Sequence, residues 1–119
     1  MAPSSVASGP EFLRAVVLGY EVSTRIGVVL GRPHYKFWHN TGTVGVFGAA
    51  ASAASLLRLD ASAYANALAI AATFSAGLQQ AFRLDAMAKP LHAGRAAEAG
   101  VMAAQLAAQG MRSSLDVLE

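Results

Sequence analysis

Apolar positions recur at helical spacing through most of this chain, and the pattern reads as four helices and little else. The first predicted helix runs from Glu11 to Leu30. Phe12, Val16, Tyr20, Ile26 and Leu30 fall near the helical period, with Arg14, Glu21 and Arg25 on the other side. Glu21 and Arg25 form an i,i+4 pair in the favourable order. Gly31 is placed as the C-cap, and Pro33 stops the helix. An irregular stretch, Arg32 to Thr41 (RPHYKFWHNT), follows. The second helix is predicted from near Gly42 to Arg58, capped by Asn40, Thr41 or Thr43. Asp60 is a good N-cap for the third, Ala61 to Phe82. After a looser segment, Arg83 to Lys89, Pro90 suits the first turn of the fourth, Pro90 to Gln109, with Gly110 past its end. The tail MRSSLDVLE carries no clear ending element. Internal repeats, coiled-coil heptads and βαβ alternation are not seen.

Composition sharpens this picture of an all-α, Ala/Gly-rich bundle. Of 119 residues, 27 are alanine and 11 glycine; 55% are apolar and 13% charged, against a typical charged share of about 25%. Disorder is excluded, since disordered chains are charged and poor in apolar groups. The absence of cysteine excludes a disulfide scaffold and fits a reducing, cytoplasmic setting. Residues 1–10 (MAPSSVASGP) read as a flexible N-terminal segment with neither the charged nor the apolar region of a signal peptide. A net charge of +2, with nine cations in all, is too sparse for a nucleic-acid footprint. The most apolar windows, Val44–Leu57 and Ala61–Leu78, are respectively too short for a membrane span and interrupted by Ser62, Asn66, Thr73 and Ser75. No membrane or nucleic-acid partner is therefore expected. Glycine costs about 1 kcal/mol in a helix interior. Gly42, Gly45 and Gly48 on one helix thus point to another backbone, or a ligand, at close range. Two helices are apolar or small all round, which implies a cover of missing sequence or a partner subunit.

Two loop-to-helix junctions carry candidate chemistry. In Lys89-Pro90-Leu91-His92-Ala93-Gly94-Arg95, three cation-capable side chains stand at a helix start, with His92 and Arg95 on one face. Free N–H groups and the helix dipole add positive potential, a site for a carboxylate or phosphate. The plainer alternative is solvated Lys89 and Arg95 with a locally packed His92. His39-Asn40-Thr41-Gly42-Thr43 is a second such junction, with a histidine and the two hydroxyls of Thr41 and Thr43. It can present backbone N–H groups to an anion while His39 supplies acid–base chemistry near neutral pH. The alternative there is an ordinary cap with a partly buried histidine. Histidines at 34, 39 and 92 offer no HxxxH pair, so no metal is expected. No nucleophile elbow, phosphate loop or dinucleotide fingerprint is present. Tyr35, Phe37 and Trp38 either line a pocket or form a satellite core. Gln79-Gln80 has no reading.

The runs GYEVSTRIG (19–27), HNTGTVGVFGAAASAASLL (39–57), ALAIAATFSAGL (67–78) and MAKPLHAGRAAEAGVMAAQLAAQG (87–110) resemble the MmgE/PrpD family, which includes 2-methylcitrate dehydratase and cis-aconitate decarboxylase. The likeness covers residues 8 to 119. It implies an all-helical domain that is normally joined to a smaller α+β domain, and homodimers acting on small di- and tricarboxylates. It also implies lyase chemistry, dehydration or decarboxylation, without a metal or organic cofactor. By the same resemblance His39 and Lys89 are catalytic and lie in the cleft between the two domains; Thr41, His92 and Arg95 are expected to bind substrate. Residues 11–119 correspond to part of the helical domain. The α+β domain and further catalytic positions, including an acidic residue and another histidine, have no counterpart, so this segment alone is expected to be inactive. Two rival readings are a non-catalytic helical module that self-associates through small-residue faces and a membrane helix pair.

Overall fold

Alanine and glycine bring helix backbones close together. The computed structural model of the chain, which describes residues 6–119, is built on that closeness. The helices are α1 (Gly9–Tyr35), α2 (Asn40–Thr43), α3 (Gly45–Leu56), α4 (Ala61–Thr73) and α5 (Lys89–Ala108), with a 3₁₀ turn at Gln79–Phe82. No strand is present among the described residues; one isolated antiparallel bridge joins Trp38 to Leu78. The expectation of an all-α bundle with four long helices holds.

The central helix is α3, which packs against α1, α4 and α5. The core is dominated by alanine: Ala50, Ala54, Ala67, Ala71, Ala99, Ala103 and Ala104, around Val46, Phe47 and Ile70. Gly100 on α5 crosses α3 so closely that a Cβ there would meet the Ala49 Cβ at 2.4 Å and the Val46 carbonyl oxygen at 2.6 Å. Gly48 meets the Gly19 carbonyl in the same manner, at 2.9 Å. Of the three repeated glycines, Gly42 and Gly48 thus mark a close backbone, as expected, whereas a Cβ on Gly45 would meet only the Ala96 Cβ, at 3.4 Å.

Several boundaries differ from the sequence reading. Helix α1 starts at Gly9 rather than Glu11. Ser8 and Glu11 make a reciprocal capping box, the Ser8 hydroxyl accepting from the Glu11 N–H and the Glu11 carboxylate from the Ser8 N–H. The expected flexible segment 1–10 therefore ends in an ordered cap and first turn, and residues 1–5 lie outside the described residues. Gly31 does break α1, at φ 64° and ψ −168°, with one further turn beyond it. The buried stripe of α1 is not Phe12–Val16–Tyr20. Ala15 and Gly19 are buried, and Val22 and Ile26 pack on the core. Phe12 and Tyr20 are exposed, as are Leu13, Val17, Val28 and Val29. The helical period is right but the phase is wrong, because small residues dock more closely than large ones.

The predicted second helix is two elements with a break at Val44, and none of the proposed caps operates: His39 holds the N-cap position without a side-chain bond. The predicted third helix ends at Thr73 rather than Phe82. Gly77 adopts φ +126°, unsuited to a helix, and the Ser75 hydroxyl donates to the Thr43 carbonyl at 2.7 Å. Asp60 caps α4 as predicted, accepting from the Ala63 N–H at 2.8 Å. Gly110, at φ +94°, terminates α5. The tail is held by the Ser113 N–H, which donates to Asn66 Oδ1 at 2.8 Å. Among the described residues, no helix is long and apolar enough to cross a membrane.

Candidate functional site

Two short pairings bring two distant segments together. The His39 N–H donates to the Gly77 carbonyl at 2.9 Å, and the Gln79 N–H donates to the Phe37 carbonyl at 2.8 Å. Buried Gln79 adds a side-chain bond from Nε2 to the Tyr35 carbonyl at 2.8 Å. These bonds clamp segment 74–82 against the end of α1. They give a structural role to Gln79, which has none in the sequence, and they set Phe82 beside the start of α5.

Around Phe82 the cationic groups converge. The Phe82 ring meets His39 edge-on at 4.7 Å between centroids and His92 at 6.0 Å. Lys89 Nζ lies 5.1 Å from the same ring centre, within cation–π range. The two imidazoles touch directly: His39 Nδ1 and His92 Nδ1 are 2.9 Å apart. His39 is only 5% exposed, whereas His92 is half-buried and Lys89 exposed. Burial lowers the His39 pKa below the ordinary histidine value, and the positive charges of His92 and Lys89 lower it further.

The backbone holds His39 from both sides. Its carbonyl accepts the N–H groups of Gly42 and Thr43 at 2.9 and 3.0 Å. Thr43 Oγ1 contacts His34 Nε2 at 2.7 Å and donates to the His39 carbonyl at 3.3 Å. His34 thereby joins the framework, and Trp38 stacks on it at 6.4 Å between centroids. At α5, Pro90 occupies the first turn and the cap residue Ala88 makes no side-chain bond. Pro90 has no N–H, and the Leu91 N–H donates to the Ala88 carbonyl at 2.9 Å.

Of the five residues singled out in the sequence, His39, His92 and Lys89 are gathered around one ring. Arg95 is exposed and paired with Glu98 at 2.8 Å. It also lines a cleft of about 50 Å³ with His92, Gly42, Phe74, Ala76, Gly77 and Ala96. Thr41 is exposed on α2 and makes no side-chain hydrogen bond to the cluster. Phe82, on which the arrangement centres, carries no sequence signal. It falls where the helix was expected to continue, so its approach to the two histidines was not legible. A larger cavity nearby, about 320 Å³, is lined by Lys36, Phe37, Leu78, Gln79, Gln80 and Arg83 and does not include His39 or Lys89. Among the described residues, no cluster of three metal-ligating side chains exists.

Residues 1–119 match the family described as the MmgE/PrpD N-terminal domain. A cis-aconitate decarboxylase-like protein, oryM, of Aspergillus oryzae is 34% identical over 108 residues, which is 89% of this chain and 22% of that protein. Cis-aconitate decarboxylase of Homo sapiens is 36% identical over 114 residues, 94% of this chain and 23% of the human protein. The chain thus spans less than a quarter of the length of these relatives.

Proposed function

This chain belongs to the MmgE/PrpD family, and from that membership we propose that it forms one wall of a lyase site for small di- and tricarboxylates. The observation that carries the proposal is the meeting of Lys89, His39 and His92 around Phe82. An organic polyanion needs fixed positive charge, and lyase chemistry needs a group that moves a proton near neutral pH. This cluster holds one of each. Both relatives are named for cis-aconitate decarboxylation, which makes decarboxylation the favoured reaction over dehydration.

In that reaction the C–C bond to one carboxylate breaks and carbon dioxide departs. The electron pair stays on the carbon framework, delocalised toward a remaining carboxylate. Lys89 holds that carboxylate and offsets the developing charge. A proton from the histidine pair then quenches the carbanion. Exposed Arg95 and Thr41 sit within the same two junctions and are assigned to substrate binding. The intact protein is taken to be a homodimer whose remaining domains complete the cleft.

The test is substitution of the lysine aligned with Lys89 by alanine in a full-length relative. Loss of one such electrostatic contact is expected to lower turnover by about 10²–10³; near-normal turnover removes Lys89 from the role. A second reading, a non-catalytic module that self-associates, is favoured by the exposed apolar residues of α1, among them Val28 and Val29 at 81% and 83% exposure. A stable soluble oligomer of this chain with no affinity for cis-aconitate supports that reading instead.

A further inference from the structure

We propose that His92 is the positioning residue for His39, and that the two imidazoles act as a unit holding one transferable proton; this deepens the lyase reading and rests on it. The nitrogens 2.9 Å apart are both Nδ1. One must donate and the other accept, because two Nδ1–H groups facing each other cannot bond. The pair therefore exists as neutral or singly charged, and double protonation breaks the contact.

The geometry leaves little freedom for another arrangement. His39 is fixed through its backbone by Gly77, Gly42 and Thr43. His92 is backed by Gly77, where a Cβ would lie 3.3 Å from its Nδ1 and 3.5 Å from its Cε1. Phe82 closes on both rings from the side. With Nδ1 occupied, Nε2 is the ring nitrogen that His39 has left for chemistry. A carboxylate ligand favours a proton on that Nε2, so that His39 donates to the anion. His39 Nδ1 is then the acceptor and His92 Nδ1–H the donor.

The charged and titratable groups that bear on the pair are Lys89 from α5, Tyr35 at the end of α1 with its ring 6.4 Å from that of His39, and His34 through Thr43. Arg95 lines a cleft with His92 and is paired with Glu98. Lys89 opposes a positive pair in the free chain; a bound polyanion offsets Lys89 and lets the pair take up one proton. In turnover, His39 Nε2–H protonates the carbanion while the His92 Nδ1 proton passes to His39 Nδ1. Both rings end neutral, and one proton has been delivered.

Nitrogen-15 NMR of the histidine rings in the 119-residue chain, without ligand, tests the positioning claim. The native chain should show His39 as a single tautomer. His92→Leu should let His39 average between tautomers. His92→Asn, whose amide nitrogen replaces the Nδ1 donor, should restore the single form. An unchanged His39 pattern in His92→Leu overturns the proposal, as does a failure of His92→Asn to restore it. Calorimetry with cis-aconitate in buffers of different ionisation enthalpy tests the shared proton. Uptake approaching one proton per bound ligand is expected in the native chain, with loss of that uptake in His92→Asn. Uptake that is equal in both overturns the shared proton. No binding of cis-aconitate to the native chain overturns the lyase reading instead, and the ligand-free tautomer measurement still decides the role of His92.

Discussion

Gly42 lies so close to Ala76 that a Cβ on Gly42 would sit 2.2 Å from the Ala76 carbonyl oxygen. Main-chain oxygen cannot move aside as the end of a side chain can. Gly42→Ala must therefore push α2 away from segment 74–78, which supplies the Gly77 carbonyl to the His39 N–H. The expected cost is about 1–3 kcal/mol, the usual range for overpacking. Denaturant unfolding measures it. The same substitution should also separate the His39 and His92 rings, visible as a changed ring-nitrogen spectrum.

What the sequence discloses depends on whether a feature is local. The caps at Asp60, Gly31 and Gly110 are set by one or two residues each, and they are legible. The junction motifs around His39 and Lys89 are equally plain. Their meeting is not, because it requires the chain to leave the helix at Thr73 and return through a 3₁₀ turn at Gln79–Phe82. The run from Ala67 to Leu78 carries no glycine or proline until Gly77. Long-range bonds, among them those from Ser75 to Thr43 and from His39 to Gly77, commit that segment to a loop. The buried face of α1 departs from the apolar periodicity for a related reason. Periodicity identifies large apolar residues, whereas this bundle buries Ala15 and Gly19 and leaves Tyr20 outside.

Gly94 offers the opposite experiment. It lies inside α5, and a Cβ built there has nothing within 4 Å. Nothing in its surroundings requires glycine, whose backbone freedom weakens a helix interior. Gly94→Ala should stabilise the chain by about 0.5–1 kcal/mol. A thermal midpoint that rises in Gly94→Ala and falls in Gly42→Ala separates an open glycine from an obligatory one. A fall in both contradicts the packing of α5 described above.

The first turn of α1 carries its own acid-sensitive device. The Ser8 backbone N–H, the Arg58 guanidinium and the Ser8 hydroxyl hold the Glu11 carboxyl down to about 2, against an ordinary value of 4.5. Its stabilisation of the turn is complete above pH 4.5 and is lost as pH falls from there toward 2. Carbon-13 titration of the Glu11 carboxyl should place its midpoint near 2. Arg58→Met removes the contacts at 2.7 and 3.2 Å and should move that midpoint up toward 4.5. An unchanged midpoint assigns the shift to the cap alone.

His39 makes a second pH window, at the centre of the molecule. Burial, together with the charges of His92 and Lys89, lowers its pKa in the folded chain below the value of 6.5 that it takes when exposed. Between the two values the unfolded chain binds a proton that the folded chain refuses. Stability is thus complete above pH 6.5 and declines as pH falls through the window. The slope contributed by this one group is bounded at about 1.4 kcal/mol per pH unit. Unfolding free energies measured from pH 8 down to 5 should therefore fall in the native chain. They should fall less steeply in His39→Gln, which has no proton to refuse. His34 and His92 are retained in both proteins, so the difference in slope belongs to His39 and its partners. Equal slopes would mean that His39 accepts its proton in place, and the cluster around Phe82 would then have to tolerate a charge that its geometry and neighbours both oppose.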